Sequence, residues 1–147
     1  MKNARYEYVI YIATSPKTLW NALVDAKVTR KYWQHANVSD WKPGSRWEHQ
    51  RDNKKGTVDM VGTVVECSAP RRMVLTWADP ADEARKEKHS RVTLKIEQFR
   101  NIARLTVVHD RLAPESEMLE AISDGWPKVL CSLKSLMERG QPLPKLW

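Results

Sequence analysis

From Met118 onward the apolar residues change period, and that change constrains the fold more than any other feature. Met118, Leu119, Ile122, Trp126, Val129, Leu130, Leu133, Leu136 and Met137 recur at spacings of three and four, which lays them along one face of one long helix. Glu115, Glu117 and Glu120 cluster at its start and Lys134 and Arg139 near its end, a polarity that suits the helix dipole. Gly140 and Pro142 stop it. Pro127 sits inside this pattern. It removes a helix hydrogen bond and crowds the preceding turn, so the sequence predicts a kink, or a break with a new start near 123–126, eased by Gly125.

Before that helix the chain reads mostly as strands. In residues 5–13, Tyr6, Tyr8, Ile10 and Ile12 fall on one face and Arg5, Glu7, Val9 and Tyr11 on the other. A short helix follows, with Ser15 as its cap, Pro16 at its first position and Leu19, Trp20, Leu23 and Val24 as its apolar stripe. A second short helix is expected over about 29–33, then a loop over 34–44 that closes with Lys42-Pro43-Gly44. Strands are expected at 46–52, 57–67, 73–78, 91–99 and 102–111, with a mixed-charge, solvated loop at 79–90. One long helix must then cover a whole antiparallel meander. That is an α+β two-layer solution: a curved sheet of about six strands wrapped around the C-terminal helix, with two short helices after the first strand. The 147 residues are expected to form a single domain, 1–147. Sheet and helix separate in the middle, which leaves room for a cavity.

Composition narrows the function classes. The net charge is +7, with most of the excess in residues 1–74, but no run exceeds two adjacent basic residues. Nucleic-acid binders gather such charge into a stripe, so no nucleic-acid partner is expected. Cys67 and Cys131 form neither a CxxC pair nor a zinc spacing, and free thiols are expected. No His/Cys/Asp cluster has metal spacing, and no glycine-rich phosphate loop or nucleophile elbow occurs. No cofactor, metal or catalytic residue is therefore assigned, and whether the chain is an enzyme stays open. The N-terminal stretch has no long apolar run, and no segment approaches the roughly 20 apolar residues of a membrane span. A cytoplasmic protein is expected, as a monomer or homodimer.

Six segments together resemble the START/SRPBCC (birch-pollen-allergen-like) superfamily. They are SPKTLWNALVDAKVTRKYW; Lys42-Pro43-Gly44; Gly62-Thr63-Val64-Val65-Glu66 through Pro70, Arg72, Leu75 and Trp77; Ser90-Arg91-Val92-Thr93; Leu105-Thr106-Val107-Val108-His109; and Gly125-Trp126 with Leu130, Leu133 and Leu136. The resemblance runs over about residues 5–139. It is strongest to the branch named after the activator of the heat-shock protein 90 ATPase, in that protein's C-terminal domain. Pro127 departs from the usual pattern, and 147 residues leave no room for that activator's further N-terminal domain. The resemblance implies a helix-grip fold. It implies less about function, because the superfamily includes lipid carriers, hormone receptors and cyclases.

Strand alternation then selects candidate cavity-lining residues: Tyr8, Ile10, Trp47, His49, Val64, Trp77, Leu94, Leu105, Val107 and His109 from the sheet, with Trp126 and Leu130 as the roof. Plain core is the competing reading for the aliphatic members. The tryptophans, seven in all against one phenylalanine, suit cavity walls as well as cores. His109 reads as a satisfied half-buried histidine or a polar anchor for a ligand. His35 and His89 fall in expected loops and should be solvated. The leading reading is a binding protein for an apolar, aromatic or lipid-like small molecule. The alternatives are a cavity-based enzyme of cyclase, hydratase or hydrolase type, and a protein-interaction domain that regulates a chaperone.

Overall fold

A computed structural model describes residues 3–147; the first two residues of the N-terminal stretch lie outside it. Strand β1 (Ala4–Ile12) leads into helices α1 (Pro16–Val24) and α2 (Ala26–Trp33). Strands β2 (His35–Val38), β3 (Arg46–Arg51), β4 (Val58–Ser68), β5 (Arg72–Trp77), β6 (Ser90–Phe99) and β7 (Ile102–Leu112) follow, then helix α3 (Glu117–Arg139). All seven strands form one antiparallel sheet in the order β1-β7-β6-β5-β4-β3-β2. The sheet curls into a half-barrel, the helix-grip arrangement expected.

The helix ends follow local chemistry. Ser15 Oγ accepts from the Thr18 N–H, and Pro16 occupies the first turn of α1, where no partner is needed for its missing N–H. Asp25 caps α2 through the Lys27 N–H. Ser116 caps α3 through the Leu119 N–H, and Gly140 ends it at φ 78°, a left-handed position glycine takes without steric cost.

Three expectations need correction. The sheet has seven strands, because β2 lies inside the expected 34–44 loop. Its four residues, His-Ala-Asn-Val, are too few to show alternation, and pairing with β3 holds them. Of the kink or break expected at Pro127, the break is overturned: helix α3 runs as one element of 23 residues. The buried stripe of Ile122, Trp126, Val129, Leu130 and Leu133 extends on both sides of the proline, and the packing it gains outweighs one lost backbone bond. The 79–90 segment holds two 3₁₀ turns, Pro80–Asp82 and Lys86–Lys88. Glu83 grips Arg46 there (2.6 Å), and His89 is buried between the Thr76 hydroxyl and the backbone carbonyls of Asp82 and Glu83.

One glycine sets the floor of the interior. Gly62 on β4 lies opposite Trp47 on β3, and the Trp47 indole N–H donates to the Thr76 carbonyl at 2.8 Å. A Cβ at residue 62 would overlap that carbonyl and the indole nitrogen. Among the described residues no helix is long and apolar enough to cross a membrane.

Candidate functional site

The space under α3 is largely filled by rings. Trp33, Trp77 and Trp126 pack against one another with centroids 5.3–6.4 Å apart, and Trp47 lies 5.2 Å from Trp77. Only about 20 Å³ remains among them, bordered also by Leu94 and Leu130. That is room for about one water molecule.

A chain of hydrogen bonds fixes these rings. The Trp126 indole N–H donates to His109 Nδ1 at 3.1 Å. Indole is a donor only, so Nδ1 must be the unprotonated nitrogen, and Nε2–H then donates to Ser90 Oγ at 2.8 Å. Ser90 in turn donates to the Trp77 carbonyl at 3.1 Å. Both imidazole nitrogens are engaged, and the ring is fully buried. Burial lowers the His109 pKa from 6.5 to about 4, opposed by Asp110. His109 is thus a neutral strut tying α3 to β6 and β7, with no free lone pair to serve as a base.

The open space lies at one end, beside the N-terminal half of α3. A pocket of about 320 Å³ is lined by Trp33, His35, His49, Asp59, Met60, Trp77, Met118, Ile122, Gly125, Trp126, Val129 and Trp147, with Ala121 and Asp124 at its edge. Strand register builds its polar wall. Asn37 pairs directly with His49 across β2 and β3, and Asn37 Oδ1 lies 2.5 Å from His49 Nδ1. His35, two residues away on the same face of β2, stacks on His49 with centroids 4.0 Å apart and planes 4° from parallel. On β4 the pairing skips from Met60 opposite His49 to Val58 opposite Gln50, which leaves Asp59 as a bulge residue. Its carboxylate meets His35 Nε2 at 2.8 Å and Arg51 at 2.8 Å. Burial raises the Asp59 pKa, but Arg51 and His35 outweigh it and hold the carboxyl below its usual range.

His35 is therefore buried and not solvated. Its Nδ1 faces the Trp33 carbonyl at 3.1 Å and its Nε2 faces Asp59. Both partners only accept, so the ring fills both bonds only as imidazolium. His49 is the opposite case: burial first, then the neighbouring His35 charge, pushes its pKa well below 6.5, which makes it a weak base at neutral pH. Past α3 the chain turns back along the helix, held by Ser135 Oγ to the Gln141 carbonyl (2.7 Å) and the Leu143 N–H to Ser132 Oγ (3.3 Å). This brings Trp147 to the pocket mouth, 6.2 Å from His35.

Of the sequence-selected residues, His49, Trp77 and Trp126 meet at this pocket. Trp47, Leu94 and Leu130 border the small inner void with Trp77 and Trp126. Ile10, Val64, Leu105 and Val107 pack in the core, Tyr8 lies half-buried against it, and His109 stands behind Trp77 and Trp126.

The family described as Activator of Hsp90 ATPase homolog 1-like protein matches residues 13–138. The chain belongs to this family. Solved structures agree on the fold of this Aha1-like domain. An Aha1 dimer from Colwellia psychrerythraea superposes with a TM-score of 0.77 at 19% identity, covering 93% of this chain and 98% of that one. An HSP90 activator from Plasmodium falciparum gives 0.68 at 22%, covering 83% and 86%. A Bordetella parapertussis protein gives 0.71 at 24%, covering 100% and 80%. No curated protein matches in sequence.

Four of the six motif segments that carry the resemblance meet in one place in this Aha1-like chain. Trp77, Ser90, His109 and Trp126 are the consecutive members of the hydrogen-bonded chain. The residues that sequence reasoning left out of the site are His35, Asp59, Met60 and Trp147, together with Trp33, Met118 and Ile122, which read only as helix positions. The first two depend on a short edge strand and a bulge, neither of which leaves a periodic trace. For Trp33 a weak signal existed, because a large ring at the end of a short helix beside the long one has little else to pack on.

Proposed function

We propose that this Aha1-like domain binds a small, mostly apolar molecule in the pocket at the end of α3. One observation carries the reading: a recess of about 320 Å³ walled by Trp33, Trp77, Trp126, Met60, Met118, Ile122 and Val129. That volume is at the lower end of small-molecule sites, which combine apolar walls with a few placed polar groups. The filled interior argues for a compact ligand over a long acyl chain, since about 20 Å³ under the helix admits no chain.

The test is a thermal-shift and calorimetric survey of aromatic and aliphatic compounds against the wild type and Met118→Trp, which adds a ring at a half-buried position on the pocket wall. Binding to the wild type, lost in Met118→Trp with its melting temperature kept, supports the reading. No binder to the wild type across the survey refutes it.

A second reading, docking on a protein partner or a second copy, is favoured by exposed apolar side chains near the open edge of the sheet. Val9, Tyr11 and Phe99 are exposed, and Tyr11 and Phe99 pack edge to face at 5.1 Å. The Colwellia relative is a dimer and the Plasmodium relative an HSP90 activator. Sedimentation of the wild type against Tyr11→Lys tests for self-association. A purified HSP90 in a pull-down tests the chaperone, and a single monomeric species with no captured chaperone ends this reading.

A further inference from the structure

The pocket's polar groups narrow its ligand to a chemical class, an inference that rests on the small-molecule reading above. His49 is only 5% exposed. Its Nδ1 is taken by Asn37 Oδ1, which, being an acceptor, requires the proton on Nδ1. Nε2 is then an acceptor, and among the described residues it has no hydrogen-bond partner, although the ring lines the pocket. Trp77 lines the same pocket with its ring, but its indole nitrogen is buried away from the pocket surface. The two ring centroids are 5.7 Å apart. Buried polar groups in folded proteins are almost always paired, so the acceptor left open on this wall describes the group it would receive: a hydrogen-bond donor, such as a hydroxyl.

The rest of the wall sets the body that carries this hydroxyl. The Trp33, Trp77 and Trp126 faces and the stacked His35–His49 pair are flat surfaces, which favour a flat partner. The pocket's carboxylates are already matched, Asp59 by Arg51 and His35 and Asp124 by Lys128, so no carboxylate is left unpaired to hold a cation. We propose that the pocket takes a planar hydroxyaromatic compound, its hydroxyl donating to His49 Nε2.

Three probes test this by isothermal titration calorimetry: 2-naphthol, 2-methoxynaphthalene, which keeps the ring and the ether acceptor but has no donor, and decanoate. The expected result is that 2-naphthol binds about tenfold more tightly than its methyl ether, the worth of one buried hydrogen bond, and that decanoate binds more weakly still. His49→Phe should erase the difference between the two naphthalenes while leaving the ether's affinity near the wild-type value. If His49→Phe does not fold, the wild-type comparison decides alone. Equal affinities for the two naphthalenes, or a preference that survives in His49→Phe, overturn the hydroxyl contact and leave the pocket reading standing. Tighter binding of decanoate overturns the planar class. Binding of none of the three overturns this proposal, and the compound survey separately decides the reading beneath it.

Discussion

Acid should loosen this fold earlier than its carboxylates would dictate, because His109 is held neutral. The ring is fully buried, both nitrogens are engaged, and its pKa falls from 6.5 to about 4 in the folded chain. The unfolded chain therefore binds a proton that the folded chain refuses, and stability is lost as pH falls. The loss begins near the unfolded value of 6.5 and continues down to about 4. Integrated from roughly pH 7 to pH 5, this one group removes about 2 kcal/mol, or about 1 M in the urea midpoint for a domain of this size. Over that interval unfolded carboxylates, with pKa values near about 4, stay largely ionised, so the histidine effect stands clear of them. His49, also held well below 6.5, adds loss of the same sign. The assay is urea unfolding followed by fluorescence across this range, for the wild type and His109→Gln. The variant is less stable at every pH, but its stability should fall less steeply, and the His49 contribution cancels in the comparison. Parallel curves for the two proteins would refute the reasoning.

Ser90→Ala keeps the shape but strips the His109 Nε2–H and the Trp77 carbonyl of their partner. It should cost about 1–3 kcal/mol in urea unfolding at neutral pH. Gly62→Ala drives a methyl into the Thr76 carbonyl and displaces the Trp47 N–H bonded to it. A loss of about 3 kcal/mol or more should appear as a much lower Tm, and an unchanged melt would contradict the close approach. Pro127→Ala restores a backbone donor facing the Ser123 carbonyl inside an unbroken helix. It should raise stability by about 1–3 kcal/mol, read as a Tm gain of several degrees. Gly125→Ala, with nothing among the described residues within 4 Å of the added Cβ, should add about 1 kcal/mol of helix propensity; a lower Tm would count against it.

The sequence by itself determined the order of the elements apart from β2 and the two 3₁₀ turns, the inward face of β1 and of α3, and the helix caps at Ser15 and Gly140. These are local: a period of two or of three to four, and a cap, are written in neighbouring residues. It also supplied Trp77, Ser90, His109 and Trp126 as separate motif residues, but not the hydrogen-bonded chain that joins them. Tertiary structure alone decided where space remains. The volume of four indole rings closes the middle of the groove, and the opening moves to the end of α3. It alone decided that His35 is buried, through a four-residue edge strand, and that Asp59 meets it, through one extra residue in β4. Pairing register and ring packing depend on residues far apart in the chain, and no local pattern records them.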